Sequence, residues 1–470
     1  MPPILLSNNP TVFERQFRGN LHPTNGSDSK LSKQAKNGIL LLIIGLYIAF
    51  ITAIRPVLMI HGWPISMRLT NHLGINSAFF FICTGGLLYI LKRPKTRQQP
   101  KVYRLRIKLW FIGTAVFTLF GYLLGNLFLS VVREMMLFTY IGLFLSIGGD
   151  DILWENLSIH LTIFFYLGTF LILTHFQTPM TDIPELRNTE IAPPADPNSR
   201  FTWSIGYYMR PLLGSGLLLG MLGLIQREMN IGKIFRSLSW LFYFTAEVVV
   251  FKFRSPAAYI LLSALSFFLI RPYLSYRLRP SKYIFIISLF LLAFWYYTSR
   301  AEWDILQDRV TQSAEGVGLF ASRSEEFNSF LSDLKEQVLI GRGLGGTFDA
   351  SKVFPGAINW STLHTGITIF LLKGGVFFFF LFISFFRIDI FKRKDTWYRD
   401  TYNITATLLF PIYCIRFFTV PFSLAPEALF IHIPAMMILS RIWNIQSDRK
   451  KQRKLPLANH LQQLPAAHPR

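Results

Sequence analysis

Apolar residues in this chain fall into blocks of about 16–24, each long enough to cross the roughly 30 Å hydrocarbon layer as a helix, with short polar or basic segments between them. The blocks lie at 38–55, 75–92, 109–130, 135–149, 153–176, 204–225, 238–253, 255–271, 282–298, 363–386, 403–420 and 426–443. The pattern predicts an all-α polytopic membrane bundle of about twelve transmembrane helices with a large helical extracytoplasmic loop. The block 135–149 is short, and Gly148-Gly149-Asp150-Asp151 leaves only a tight connection to the next one. Blocks 238–253 and 255–271 read as two crossings, as one helical hairpin, or as a helix broken around Lys252 to Pro256. The chain divides into a tail at 1–37, a bundle of about nine spans at 38–298, a loop at 299–362, about three further spans at 363–443 and a basic tail at 444–470.

Composition agrees with this reading. Charged residues are only 16% of the chain, against about 25% in soluble domains. The net charge of +22 would suggest nucleic acid if it were spread over one face, but Lys and Arg cluster in the segments between apolar blocks. The densest, Lys92 to Lys108, falls on the same side as the run Arg449-Lys450-Lys451-Gln452-Arg453-Lys454. By the positive-inside rule that side is cytoplasmic, with both termini on it. The polar first 36 residues and the long first block predict no cleaved leader. Cys83 and Cys414 both lie in apolar blocks and read as small core residues rather than a disulfide.

Two outer segments are long. Residues 177–203 are rich in proline and read as an irregular surface loop. Residues 299–362 are too long for a bare connection. Within them Ser322 and Glu325 fit a helix capping box, and Phe327, Phe330, Leu331, Leu334 and Val338 recur at helical spacing. That predicts an amphipathic helix, either a lid or a device aiming Arg323 into a cavity. Next comes Gly341-Arg342-Gly343-Leu344-Gly345-Gly346, which matches neither a phosphate loop nor a dinucleotide fingerprint. The loop is not a basic patch, so Arg323 and Arg342 either pair with nearby carboxylates or meet phosphate oxygens, which a guanidinium suits.

Charges inside apolar blocks are costly and therefore candidates for function. Here they are Arg210, Glu247, Arg254, Lys373 and Arg416. Arg254 reads as a snorkelling cation, a partner of Glu247, or a site residue. Arg416 reads as a cavity residue or the neutraliser of a buried carboxylate. His364 stands where the long loop re-enters the membrane, followed by Gly374-Gly375. It reads as a hydrogen-bonded interfacial group or as a base titrating near neutrality.

Together these residues resemble the O-antigen ligase and polysaccharide polymerase superfamily of bacterial inner-membrane glycosyltransferases. The resemblance rests on Phe253-Arg254-Ser255, Ser322-Arg323, Gly341-Arg342-Gly343-Leu344-Gly345, and His364 with Gly375, over about 240–387. The family's Arg and Ser stand in reversed order at Arg254-Ser255, and Thr365 follows the His where Asn or Ser is common. The resemblance implies transfer or polymerisation of glycan from a polyprenyl-diphosphate carrier onto an acceptor hydroxyl at the outer face of the inner membrane. His364, Arg323 and Arg254 would be catalytic: the arginines hold the diphosphate, and His364 acts as general base or orients the acceptor. Arg342, Arg210 and Arg416 would bind substrate. No cofactor or metal is expected, since the pair Asp150-Asp151 falls on the cytoplasmic side. Expected partners are the lipid-linked glycan, an acceptor glycan or lipid, membrane lipids and other polysaccharide-assembly proteins. The competing class is a lipid-linked glycan flippase or other polytopic transporter, which has little use for the long outer loop. A purely structural membrane subunit would not need Arg254, Arg323 and His364 to converge.

Overall fold

The computed structural model describes residues 31–63, 74–92, 99–176, 178–179, 204–226, 231–250, isolated positions from 259 to 270, 319–349, 366–392, 397–419 and 428–443. Regular secondary structure among them is helical, apart from one isolated bridge between Pro179 and Ser204. In chain order the longer helices are α1 Lys33–Ala53, α2 Ile75–Lys92, α3 Lys101–Leu123, α4 Phe128–Ile147, α5 Asp151–Thr174, α6 Ile205–Ile225, α7 Ile231–Phe244, α8 Leu319–Leu334, α9 Thr368–Ile383, α10 Thr401–Thr419 and α11 Leu429–Trp443. Five of these, α1, α3, α4, α5 and α6, are long and apolar enough to cross a membrane, and α2, α9 and α11 are shorter apolar helices. On α3, Ile112, Val116, Leu119 and Leu123 form one stripe, each more than half exposed. An apolar stripe facing outward from a packed bundle suits a hydrocarbon solvent.

Small residues set the closest helix approaches. In the antiparallel pair α1–α2, a side chain at Gly38 would meet the Tyr89 backbone nitrogen at 2.8 Å, and one at Gly85 the Gly38 carbonyl at 2.6 Å. Backbones this close gain dispersion contacts that bulky residues would prevent. The pair α6–α7 repeats the device, with Gly220 against Trp240 and Gly223 against Ser237. A single large core of buried apolar side chains runs through the bundle, and Trp110 is packed at its centre against Phe138, Phe370 and Phe378.

Hydrogen bonds between helix ends give the bundle two faces. At one face Ser32 caps α1 and donates to the Lys92 carbonyl at the end of α2, while Gln99 donates to the Ser146 carbonyl at the end of α4. Asp150 caps α5 at this face. Here too Arg441 of α11, almost fully buried, donates to Asp151, Asp400, Asn403 and the Gly149 carbonyl. At the opposite face the end of α5 meets the start of α6 through Ile205 N–H to the Thr178 carbonyl and Gly206 N–H to the His175 carbonyl. Lys33, Lys36, Lys92, Lys101, Arg104, Arg106, Lys108 and Arg387 all belong to the first face.

Several boundaries differ from the sequence expectation. The expected spans 109–130 and 135–149 are α3 and α4, so α4 is a full-length helix that starts before Arg133-Glu134. Those charges look like a membrane boundary in the sequence, but Glu134 is neutralised inside the bundle. The loop helix α8 starts at Leu319, which puts Ser322 inside the helix rather than at its cap, and it ends at Leu334 in a 3₁₀ turn short of Val338. Cys83 and Cys414 are not disulfide-bonded and are partly buried.

Candidate functional site

Two arrangements at the second face involve the residues singled out in the sequence. The first is built on the glycine run. Gly341, Gly343 and Gly345 all have φ between +70° and +82°, a left-handed backbone that side chains strongly disfavour. This shape threads the run between three helices. Arg342 N–H donates to the Leu372 carbonyl of α9 at 2.7 Å, and Leu344 N–H to the Phe117 carbonyl of α3 at 3.0 Å. Asn126, between α3 and α4, donates to the Arg342 and Leu344 carbonyls. On the other side of the contact α9 breaks at Gly374-Gly375, and a Cβ at Gly375 would lie 2.2 Å from the Leu339 carbonyl.

Below the run sits a buried ion pair. Lys373 Nζ is 2.5 Å from Glu134 Oε1, with side-chain exposures of 0% and 2%. The Gly345 N–H donates to Glu134 Oε2 at 2.5 Å, and Lys373 also donates to the Gly346 carbonyl. Each charge is thus paired and further hydrogen-bonded to the turn above it, the condition for tolerating such a pair away from water. Arg342 faces the loop. It donates from Nε to Gln337, from Nη1 to the Thr347 carbonyl and from Nη2 to the Asp333 carbonyl, and it pairs with the Asp333 carboxylate at 2.9 Å. Phe330 and Leu334 of α8 pack with Phe348, Leu371 and Leu372, which seats the amphipathic helix on α9.

The second arrangement joins α6, the segment after α7, and α10. Pro211 has no N–H to continue the α-helical ladder, and α6 tightens to a 3₁₀ helix over Arg210–Ser215. Arg210 Nη2 lies 2.8 Å from Glu247 Oε2, which is carried by the π-helical turn Thr245–Val250 and is 3% exposed. Arg416 of α10 is buried between the rings of Tyr259 and Tyr413, at 5.6 and 5.5 Å from their centroids, within the electrostatic reach of Glu247. Among the described residues its Nη1 makes a long contact to the Gly214 carbonyl at 3.4 Å, the Tyr413 hydroxyl is a further hydrogen-bond partner, and its buried Nε has no acceptor. The structure therefore pairs Arg210 with Glu247, and both Arg210 and Arg416 lie near the 3₁₀ segment of α6, Arg416 through the Gly214 carbonyl. The Ile367 N–H donates to the Phe417 carbonyl at 2.8 Å, so the chain three residues after position 364 is tied to the residue next to Arg416.

His364 and Arg254 lie outside the described residues, and Arg323 is described only as a backbone position within α8. Of the other charged candidates, Lys373 is held by Glu134, Arg342 by the loop, and Arg210 by Glu247. The sequence reading missed Glu134, although an acidic residue inside an apolar stretch was the available signal. It also missed Tyr259 and Tyr413, which look like ordinary apolar-block aromatics until Arg416 is placed between them.

Comparison with family models, with curated proteins and with solved structures finds no match to the chain.

Proposed function

We propose that this protein is a membrane glycosyltransferase of the O-antigen ligase or polysaccharide polymerase type. It spans the bacterial inner membrane about twelve times with both termini in the cytoplasm. It moves glycan from a polyprenyl-diphosphate carrier to an acceptor hydroxyl at the outer face. The observation that carries this reading is the position of Arg416, a buried guanidinium held between two tyrosines with an unpaired Nε, one residue from the backbone contact to Ile367. In this reading the first face of the bundle, with its Lys and Arg residues, is cytoplasmic, and the second faces outward.

The leaving group of the reaction is a lipid diphosphate, whose growing negative charge requires fixed cations in a water-poor site. Arg254 and Arg323 hold the diphosphate, Arg416 and Arg210 add positive field from the helices, and Arg342 steadies the loop beside it. His364 takes the proton from the acceptor hydroxyl or orients it. The long outer segment, with α8 seated on α9, supports an enzyme over a flippase, since a flippase needs a polar path through the membrane and not an outer platform.

The test is restoration of long polysaccharide in a strain deficient in the corresponding glycan step, using the wild-type chain and His364→Ala, Arg323→Ala and Arg416→Ala at matched membrane abundance. The wild type restores the ladder and the variants do not. Full restoration by His364→Ala and Arg323→Ala together would sink the reading.

A further inference from the structure

The first face carries a cluster that the proposed reaction does not use. Trp443, the last residue of α11, is fixed by an Nε1 hydrogen bond to the Phe385 carbonyl at 2.7 Å and by stacking on Tyr103 at 5.2 Å. Two guanidinium groups lie over this indole, Arg106 of α3 at 4.6 Å and Arg387, just past α9, at 4.7 Å. They are close enough to repel one another.

Their donors are only partly used. Arg387 gives Nε and Nη2 to Asp389 as a two-pronged pair, and its buried Nη1 has no acceptor among the described residues. Arg106 gives Nη1 to the Ser384 carbonyl, one of the carbonyls left open at the end of α9. The Nε–Nη2 edge of Arg106 engages no acceptor among the described residues. That edge is the fork that matches two oxygens of a phosphate. Among the described residues Asp389 is the carboxylate on this pair, and it is committed to Arg387 and half exposed. Lys101, Arg104 and Lys108 on α3 are all exposed and add to the positive potential. Basic side chains gathered at a helix end are the arrangement found where apolar chains give way to lipid headgroups.

We propose that Arg106 and Arg387, held on Trp443, form a binding site for the phosphate of an anionic phospholipid in the leaflet at this face. The Arg106 fork takes two phosphate oxygens, and Arg387 behind it adds its charge. The phosphate relieves the repulsion between the two cations, which neither Asp389 nor the Ser384 carbonyl does completely. The site lies at the opposite face from Arg416 and stands or falls independently of the glycosyltransferase reading.

The experiment is native mass spectrometry of the full-length protein released from nanodiscs that contain equal amounts of phosphatidylglycerol and phosphatidylcholine. The wild type is expected to retain phosphatidylglycerol preferentially. Arg106→Gln is expected to lower that occupancy about tenfold, and Arg106→Lys several-fold, because lysine keeps the charge but not the fork. Lys108→Gln, with the same change in net charge, is expected to stay within about twofold of wild type. A thermal melt of each variant separates loss of lipid from loss of fold. If Arg387→Gln is the only variant that unfolds, Arg106→Gln and Arg106→Lys still decide the question. Equal losses for Arg106→Gln and Lys108→Gln would overturn the site in favour of diffuse attraction. Displacement of the lipid by millimolar inorganic phosphate would overturn the lipid assignment in favour of a soluble anion.

Discussion

Lys373 and Glu134 meet at 2.5 Å in the interior of the bundle, 239 residues apart in sequence, and both also hydrogen-bond the glycine turn above them. The pair thus does two jobs. It neutralises two charges that neither helix could hold alone in an apolar environment, and it fixes the glycine run 341–346 to α4 and α9.

Breaking this pair on one side strands a buried charge. Lys373→Met or Glu134→Leu alone is expected to destabilise the protein by about 3–5 kcal/mol, while the double variant Lys373→Met/Glu134→Leu recovers much of the loss. Thermal unfolding in detergent of the four proteins measures the coupling. Additive losses in the double variant would show that the two residues do not act as a pair.

Gly375 combines φ of +58° and ψ of −155° with a Leu339 carbonyl where a Cβ would lie. Gly375→Ala is expected to cost about 1–3 kcal/mol from backbone strain alone, with a further penalty from the clash. The glycine turn should separate from α9. Limited proteolysis reads this directly: cleavage within 335–349 is expected to speed up in Gly375→Ala, whereas Gly125→Ala, a positive-φ glycine with open space around it, should leave that segment protected.

Arg416 lies within cation–π reach of both Tyr259 and Tyr413, and its several N–H groups serve the rings, the Tyr413 hydroxyl and the Gly214 carbonyl at once. On the proposed function, Arg416→Lys is expected to keep the protein abundant in the membrane yet lower glycan transfer about tenfold. Polysaccharide ladders at matched expression test this. A lysine variant as active as wild type would mean that only the charge matters.

Arg441 has four acceptors and is 1% exposed, and it joins α11 to the start of α5 and to the segment before α10. Arg441→Met is expected to lower stability by about 1–3 kcal/mol, because the buried Asn403 side chain and Gly149 carbonyl lose their donor while the partly exposed Asp151 and Asp400 turn to water. Arg441→Lys should recover only part, since an ammonium cannot span both carboxylates in one plane. Unfolding midpoints of the two variants check the order.

Some of this was legible from the chain. The apolar blocks between 38 and 225 are helices, because insertion into hydrocarbon is a sum of local transfer energies that a window of residues reports faithfully. Phe330 and Leu334 lie on the buried side of a loop helix, as their spacing implied. The boundary near Arg133-Glu134 was misjudged for the same reason that made the others readable: a local window treats Glu134 as a cost and cannot see Lys373. Ser322 looked like a cap because the capping pattern was present, but the helix had already begun a turn earlier. Of the site, Arg210 and Arg416 are nameable from the sequence, whereas Glu247 as the partner of Arg210 and the two tyrosines as neighbours of Arg416 are not.

The sequence by itself determined that the chain is built from apolar helices, that its cations gather between them, and that a long polar segment precedes the helix at 368–383. These follow from the composition of short stretches. Only the tertiary structure decided that Lys373 answers Glu134, that Arg210 answers Glu247, that Arg416 rests between two tyrosines, and that Arg106 and Arg387 share Trp443. Such pairings depend on the rotation of each helix about its axis and on how closely glycines let backbones approach. Those are properties of many distant residues at once.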